Sequence, residues 1–132
     1  MVVVETECAV PIEIERLTRL PYPIDPLAPL VCIDLETTGL ATAAGTLPFL
    51  IGVGIWREGH LAIRQLVLAD HSGERAQLEL LSSLLPPDGW LVTYNGKSFD
   101  WPLLTARYRL HRRAPPVMAG HLDLLPVARQ LW

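Results

Sequence analysis

The sequence predicts an α/β fold, and three observations support this prediction. Apolar stretches at Leu30–Ile33, Phe49–Trp56 and Leu61–Leu68 follow one another with short links, which is typical of an antiparallel meander of strands. Apolar residues then recur at helical spacing over Gly73–Leu85. A further strand-like stretch at Trp90–Tyr94 leads into a second predicted helix. The chain has 132 residues, which is the length of one domain with a sizeable core.

The first 29 residues are predicted to be an approach segment, and residues 30–132 are predicted to form the main domain. Partial alternation of apolar and acidic residues within Val2–Glu15 allows a short edge strand. A long regular element is excluded because proline fixes φ and lacks a backbone N–H. We therefore expect the segment to lie over the surface or to fray. Its prolines are Pro11, Pro21, Pro23, Pro26 and Pro29.

The stretch Leu30–Leu40 reads LVCIDLETTGL and combines a buried strand with two carboxylates. Because side chains alternate along a strand, Asp34 and Glu36 point to one side and Leu35 points into the core. Two like charges about 4 Å apart repel by roughly 4 kcal/mol at an effective dielectric of ~20. A divalent cation would explain such a pair, since hard cations prefer oxygen ligands. Two solvated carboxylates at a strand end are the alternative explanation.

Small polar residues follow the two carboxylates. Thr37, Thr38 and Gly39 supply hydroxyl groups and a flexible backbone at the point where the strand ends. This segment suits a phosphate group or a nucleotide.

A second informative stretch, Leu91–Leu104, reads LVTYNGKSFDWPLL. Its short strand leads into a turn at Asn95 and Gly96, and a helix is predicted to begin near Ser98–Pro102, because proline is favoured in a first helical turn. Asn95 and Lys97 share this turn and are placed to contact a nucleotide or a backbone phosphate. Ordinary turn chemistry is the alternative role for both residues.

Asp100 has two candidate roles. It either caps the second helix or joins Asp34 and Glu36 as the third carboxylate of a metal site. An acid at the start of a helix that follows another strand is one way to gather carboxylates from distant parts of a sequence. Three acids without a nearby cation would be hard to keep ionised together, and this favours the metal site.

The net charge of −3 is divided unevenly along the chain. Residues 1–90 contain five Arg and Lys against twelve Asp and Glu, a net charge of −7, whereas residues 91–132 contain six against two, a net charge of +4. Five basic residues near the second motif either meet phosphates or form a solvated face. They are Lys97, Arg107, Arg109, Arg112 and Arg113.

The remaining composition indicates a cytoplasmic protein with reduced thiols. Cys8 and Cys32 do not have the spacing of a zinc site. No basic region followed by an apolar region opens the chain, which argues against secretion. The longest uncharged run, Thr37–Trp56, is interrupted by glycines and a proline, so we interpret it as a loop and a strand and not as a membrane span.

Four stretches together resemble a known family. They are IDLETTGL, GTLPFLIGVG, VTYNGKSFDWPLL and HLDLLPVARQLW, in this order over Val31–Trp132. This pattern is similar to the DEDD (DnaQ-like) exonuclease superfamily, and most closely to its YprB-like ribonuclease H-like domain family. The resemblance implies a ribonuclease H-like α/β fold with a central mixed sheet. It also implies removal of nucleotides in the 3′-to-5′ direction by two metal ions.

The resemblance also implies roles for individual residues. Asp34 and Glu36 would be the first acidic motif and Asp100 the second, and the three would be catalytic ligands of two Mg²⁺ or Mn²⁺ ions, with Asp34 bridging them. We interpret Asp123, together with His121, as occupying a later family position, and Asp123 as mainly structural. The implied partner is nucleic acid, DNA or RNA, with a single-stranded 3′ end. The implied substrate-binding residues are Thr37, Thr38, Gly39, Leu40, Asn95, Lys97 and Ser98.

One part of the family pattern is expected downstream of Trp132. The fourth carboxylate lies there, with the histidine or tyrosine that orients the attacking water, and Leu124–Leu131 is predicted to form the opening turns of a helix. A missing general base typically costs a factor of ~10² to 10⁴ in rate. We therefore expect a truncated fragment, a chain that a partner completes, or a site that no longer cuts.

Three functions are consistent with these expectations. The first is a metal-dependent exonuclease domain. The second is a non-catalytic nucleic-acid-binding or assembly module that retains the fold. The third is a structural α/β domain whose acids are merely solvated.

Overall fold

The sheet has six strands, and their order explains how distant motifs meet. The structure is a computed structural model that describes residues 1–13, 16, 19, 20, 22–38 and 46–131. The strand order is β1-β4-β3-β2-β5-β6. The strands are β1 (Val2–Ala9), β2 (Leu30–Thr37), β3 (Pro48–Arg57), β4 (His60–Val67), β5 (Trp90–Thr93) and β6 (Gly120–Asp123).

In the described part of the chain, three helices of eight or more residues accompany the sheet. They are α1 (Glu74–Leu84), which follows a short 3-10 turn, α2 (Asp100–Leu110) and α3 (Leu124–Leu131). Strands β2, β3 and β4 pair antiparallel, as the predicted meander requires, whereas β5 pairs parallel with β2 and β6 pairs parallel with β5. The α/β class and the mixed sheet are therefore confirmed. In the part of the chain that the structure describes, no helix is both long and apolar enough to cross a membrane.

The N-terminal segment differs from the expectation of a short or frayed strand. All eight residues of β1 pair with β4, from Val2 opposite Val67 to Ala9 opposite His60. Both faces of β1 are exposed, so the backbone ladder and not side-chain burial holds this strand at the edge of the sheet. Ile14 and Glu15, at the end of the predicted edge strand, lie outside the described residues.

The main core lies on one face of the sheet, under α1 and α2. Val31, Ile33 and Leu35 of β2 belong to one buried cluster with residues of both helices, such as Leu81 and Leu104. The alternation in β2 places Leu30 on the opposite face, where it belongs to a second cluster. That cluster contains Ile24, Leu30, Trp56 and Leu122, flanked by Val10, Ile12 and Tyr22 of the N-terminal segment and Val127 of α3.

Candidate functional site

The parallel strands bring the two acidic motifs to one edge of the sheet. Cys32 of β2 is opposite Val92 of β5, and Thr93 of β5 is opposite Asp123 of β6. The carboxyl ends of these three strands therefore point in the same direction, which is where ligands bind in many α/β sheets. Asp34 and Glu36 lie near the end of β2, and Asp123 ends β6.

Asp34 and Glu36 are exposed on the sheet face opposite the main core. In the antiparallel register, Asp34 is opposite Gly52 of β3 and Glu36 is opposite Leu50. Because Gly52 has no side chain, the surface beside Asp34 stays open; an added Cβ there would lie 3.6 Å from the backbone oxygen of Asp34, an ordinary contact. A register shift between Glu36 and Thr37 ends the regular pairing, so both carboxylates stand at the limit of the strand.

Asp100 is the first residue of α2, and its carboxyl group is half-buried. The position before the helix is occupied by Phe99, and no side chain caps the helix there, so the capping role considered for Asp100 is wrong. Burial raises the pKa of the Asp100 carboxyl, and the charges of Asp34, Asp123 and Glu36 raise it further. The carboxylates of both motifs thus act on one another electrostatically.

Asp123 has a different environment, although it also lies at this edge. It is 3% exposed, and its carboxylate accepts backbone N–H groups from Asn95 at 2.6 Å, Leu125 at 3.2 Å and Lys97 at 3.3 Å. Burial by itself would raise the pKa of this carboxyl, but the three backbone hydrogen bonds outweigh burial and hold the pKa below its ordinary value. Asp123 therefore stays ionised and supports the turn, as the structural interpretation of this residue requires.

The predicted substrate-binding residues fall into two groups. Thr37 ends β2 and Thr38 follows it. The side-chain oxygen of Thr38 accepts the N–H of Leu47 at 3.2 Å, which ties the two ends of the connecting loop. Gly39 and Leu40 lie outside the described residues.

The second group lies on the turn after β5. Asn95 is half-buried with a positive φ of 64°, a backbone conformation that asparagine tolerates better than most residues. Lys97 and Ser98 are exposed, and the ammonium group of Lys97 lies 5.4 Å from the centre of the Tyr22 ring.

His121 contributes to this edge in a way that its sequence position alone does not indicate. Its Nε2 lies 2.7 Å from the hydroxyl of Thr93, and its ring meets Trp101 edge to face at 6.2 Å between centroids. Burial lowers the pKa of His121, and the charge of Lys97 lowers it further. The charge of Asp123 opposes this lowering. The half-buried histidine thus contacts β5 through Thr93 and α2 through Trp101.

Comparison with known proteins gives the family. A model of the RNase H superfamily matches residues 31–132. The chain belongs to the RNase H superfamily. It is also 40% identical over 105 residues to the uncharacterized protein YprB of Bacillus subtilis (strain 168), an alignment that covers 78% of this chain and 25% of the relative. The chain therefore spans about a quarter of the length of the curated relative that it matches.

RNase H superfamily nucleases usually use divalent metals, and the acidic edge carries the oxygen ligands that such metals prefer. The donor chemistry fits, because carboxylate oxygens suit Mg²⁺ or Mn²⁺. Burial raises the pKa of Asp100 most, and the neighbouring carboxylates, whose charge a cation would neutralise, raise it further. The side chains, however, are not arranged as a metal site. Among the described residues, no three His, Cys, Asp or Glu side chains are grouped closely enough to hold a metal ion.

The basic residues of the second half do not form a free stripe. Arg107 makes an ion pair with buried Glu74 at 2.6 Å, and Arg113 makes one with Glu79. These two arginines link α2 and its C-terminal end to α1. Two of the five basic residues therefore hold helices together, and do not belong to a solvated face or to a stripe that is free to meet phosphates.

Proposed function

We propose that this chain is the nuclease domain of a divalent-metal-dependent enzyme that removes nucleotides in the 3′-to-5′ direction. The observation that carries the proposal is the environment of Asp100, a half-buried residue whose pKa is raised by burial and then by the charges of Asp34, Asp123 and Glu36. Membership of the RNase H superfamily supports a nuclease-type function. We further propose that this activity is of the DEDD exonuclease type.

In this proposal Asp34, Glu36 and Asp100 hold two Mg²⁺ or Mn²⁺ ions. The chemistry that such ions supply in nucleases is activation of a water molecule and neutralisation of charge on the leaving oxygen. The exposed ammonium group of Lys97 offers a positive charge to a phosphate, and the side chain of Asn95 offers hydrogen bonds to the terminal nucleotide.

Further substrate contacts are proposed for the segments on either side of the acids. The hydroxyl groups of Thr37, Thr38 and Ser98 would bind the nucleotide, and Gly39 and Leu40 would contact its base or sugar. The proposed substrate is DNA or RNA with a single-stranded 3′ end.

The direct test is a cleavage assay on single strands labelled at the 3′ or at the 5′ end, with Mn²⁺ and with a chelator. We expect stepwise shortening from the 3′ end with Mn²⁺, and no products from Asp34→Ala. Glu79→Ala is the matched control, because Glu79 is an exposed acid of α1 that pairs with arginines. Products of internal cutting, or equal activity of Asp34→Ala, would refute the proposed mechanism.

A second candidate is a non-catalytic module that binds nucleic acid or assembles with other proteins. The observation that favours it is the lack, in the described part of the chain, of three metal-ligating side chains grouped around one point. This candidate predicts that the chain binds the labelled single strands but does not shorten them, whichever divalent metal is added. It also predicts that Asp34→Ala binds single strands at least as well as the parent chain, because a negative charge is removed.

A further inference from the structure

Asp123 is connected to Asp100 through a short series of backbone contacts. Its carboxylate accepts the N–H groups of Asn95 and Lys97, which flank Gly96. The carbonyl oxygen of Gly96 accepts the N–H of Trp101 at 2.8 Å, and Trp101 directly follows Asp100. The start of α2 is therefore attached to a turn whose amides are held by a side chain of β6.

The turn has little freedom to adopt another shape. Asn95 has a positive φ of 64°. A Cβ on Gly96 would lie 2.6 Å from Cγ2 of Thr93, so the backbone of the turn packs directly on that side chain. Thr93 is itself held through its hydroxyl group, 2.7 Å from Nε2 of His121. Buried backbone N–H groups need acceptors, and in this turn the acceptor is the carboxylate of Asp123.

The partners of Asp123 are all backbone groups. Within the described residues, the carboxylate makes no salt bridge, although it is 3% exposed, and the charge of His121 lowers its pKa in addition to the backbone hydrogen bonds. A buried carboxylate is costly unless hydrogen bonds satisfy it. Its three N–H bonds reach the turn after β5 and the first turn of α3, so one charged group orders two segments.

We propose that Asp123 is a positioning residue of the acidic site: by holding the Asn95–Lys97 turn, it sets where Asp100 lies relative to Asp34 and Glu36. The inference rests on the proposed function, in which Asp100 is a metal ligand. Asp123 is not among the proposed metal ligands: its Oδ1 accepts the N–H groups of Asn95 and Leu125, and its Oδ2 accepts that of Lys97. Residues that orient metal ligands typically change metal affinity by ~10- to 100-fold when they are replaced.

Two variants of the 132-residue chain test the inference. Asp123→Asn keeps one acceptor oxygen but loses the charge, and Asp123→Ala loses both oxygens. Mn²⁺ affinity is measured by calorimetry, and hydrogen exchange is measured at the amides of Asn95, Lys97 and Trp101. For Asp123→Ala we expect exchange about 10-fold faster at these amides and Mn²⁺ affinity at least about 10-fold weaker. Asp123→Asn should lie between this variant and the parent in both measurements.

Two results would overturn the inference. If only the charge matters, both variants lose the same Mn²⁺ affinity and the Trp101 amide exchanges as in the parent. If only overall stability matters, amides of β2 and β3 also exchange faster, and the folded variants bind Mn²⁺ like the parent. If the parent binds no Mn²⁺, the proposed function fails, and exchange at Trp101 alone decides whether Asp123 positions the start of α2.

Discussion

Glu74 and Asp100 each begin a helix, and Glu74 is buried and Asp100 half-buried, yet the charges around them have opposite signs. Glu74 is 2% exposed and accepts two hydrogen bonds from Arg107, at 2.6 and 2.8 Å, while Nε2 of His111 lies 2.6 Å away. Burial opposes ionisation of Glu74, but the bonds from Arg107 and His111 and their charges hold its pKa below the ordinary value. The pKa of Asp100 is instead raised.

The Glu74 carboxylate is stabilised by neighbouring cations, whereas the Asp100 carboxylate is destabilised by burial and by neighbouring anions. Glu74 links α1 to α2 through cations, whereas Asp100 is placed among other carboxylates. A helix N-terminus favours a negative charge in both cases, so the helix dipole does not account for the difference. An acid kept among like charges costs stability, and this cost supports the proposed metal-binding role of Asp100.

The largest predicted effect is the loss of stability when the paired carboxylate is removed. Glu74→Ala should lower the free energy of unfolding by about 3 kcal/mol, because Arg107, which is 13% exposed, keeps its charge without a partner. Urea denaturation at neutral pH measures this change. Glu79→Ala is the control, and it should cost less than about 1 kcal/mol because its ion pairs are exposed. Equal losses in the two variants would show that Glu74 is not special.

The Asn95–Lys97 turn, which precedes Asp100, should tolerate substitution poorly. Gly96→Ala should cost about 2 kcal/mol, because its Cβ would lie 2.6 Å from Cγ2 of Thr93 and force the backbone to move. Gly52→Ala is the matched control beside Asp34, where the added Cβ meets only an ordinary contact at 3.6 Å. Thermal unfolding compares the two. An unchanged melting temperature for Gly96→Ala would mean that the turn adapts easily and does not fix Asp100.

The pH dependence of stability should have opposite signs at the two carboxylates. The folded pKa of Asp100 lies above 3.8, so the folded state holds its proton more tightly and loses stability as the pH rises through that pKa. Asp100→Asn should therefore be more stable than the parent at about pH 7, by about 0.5 kcal/mol, and show no advantage at about pH 3.

For Glu74 the folded pKa lies below 4.5, so its contribution is present above that value and is lost as the pH falls through the folded pKa. Glu74→Gln should accordingly be less stable than the parent at neutral pH, and the difference should shrink in acid. Urea denaturation across this range measures both variants. The same sign of pH dependence for Asp100→Asn and Glu74→Gln would contradict the comparison.

The smallest predicted change in stability is that of Asp34→Ala. Asp34 is exposed and contributes to the raised pKa of Asp100, so its removal relieves repulsion and should leave the melting temperature unchanged or slightly higher. Metal-free thermal unfolding is the measurement. A clear loss of melting temperature would indicate that Asp34 has a structural role.

The sequence predicts well those parts of the fold that follow from local patterns. The alternation in β2 correctly places Leu35 in the core and both Asp34 and Glu36 on the other face. The turn between β3 and β4 is present, with positive φ at Glu58 and Gly59. The alternation in β2 and the turn between β3 and β4 are both determined by a few neighbouring residues.

The features that the sequence does not predict depend on distant partners. Strand β6 has four residues and is defined by its pairing with β5, and β1 is held by β4 without a buried face. From the sequence alone, Arg107 is indistinguishable from a basic surface residue. In the structure it pairs with Glu74, which lies 33 positions earlier. The support that Asp123 gives to the turn of Asn95 likewise joins residues 28 positions apart.

The central claim is that Asp34, Glu36 and Asp100 share one divalent-metal site, and calorimetric titration of the chain with Mn²⁺ tests it most directly. We predict binding by the parent chain and by Glu79→Ala, and loss of binding in both Asp34→Ala and Asp100→Ala. Absence of binding in the parent, or unchanged affinity in the two aspartate variants, would contradict the account.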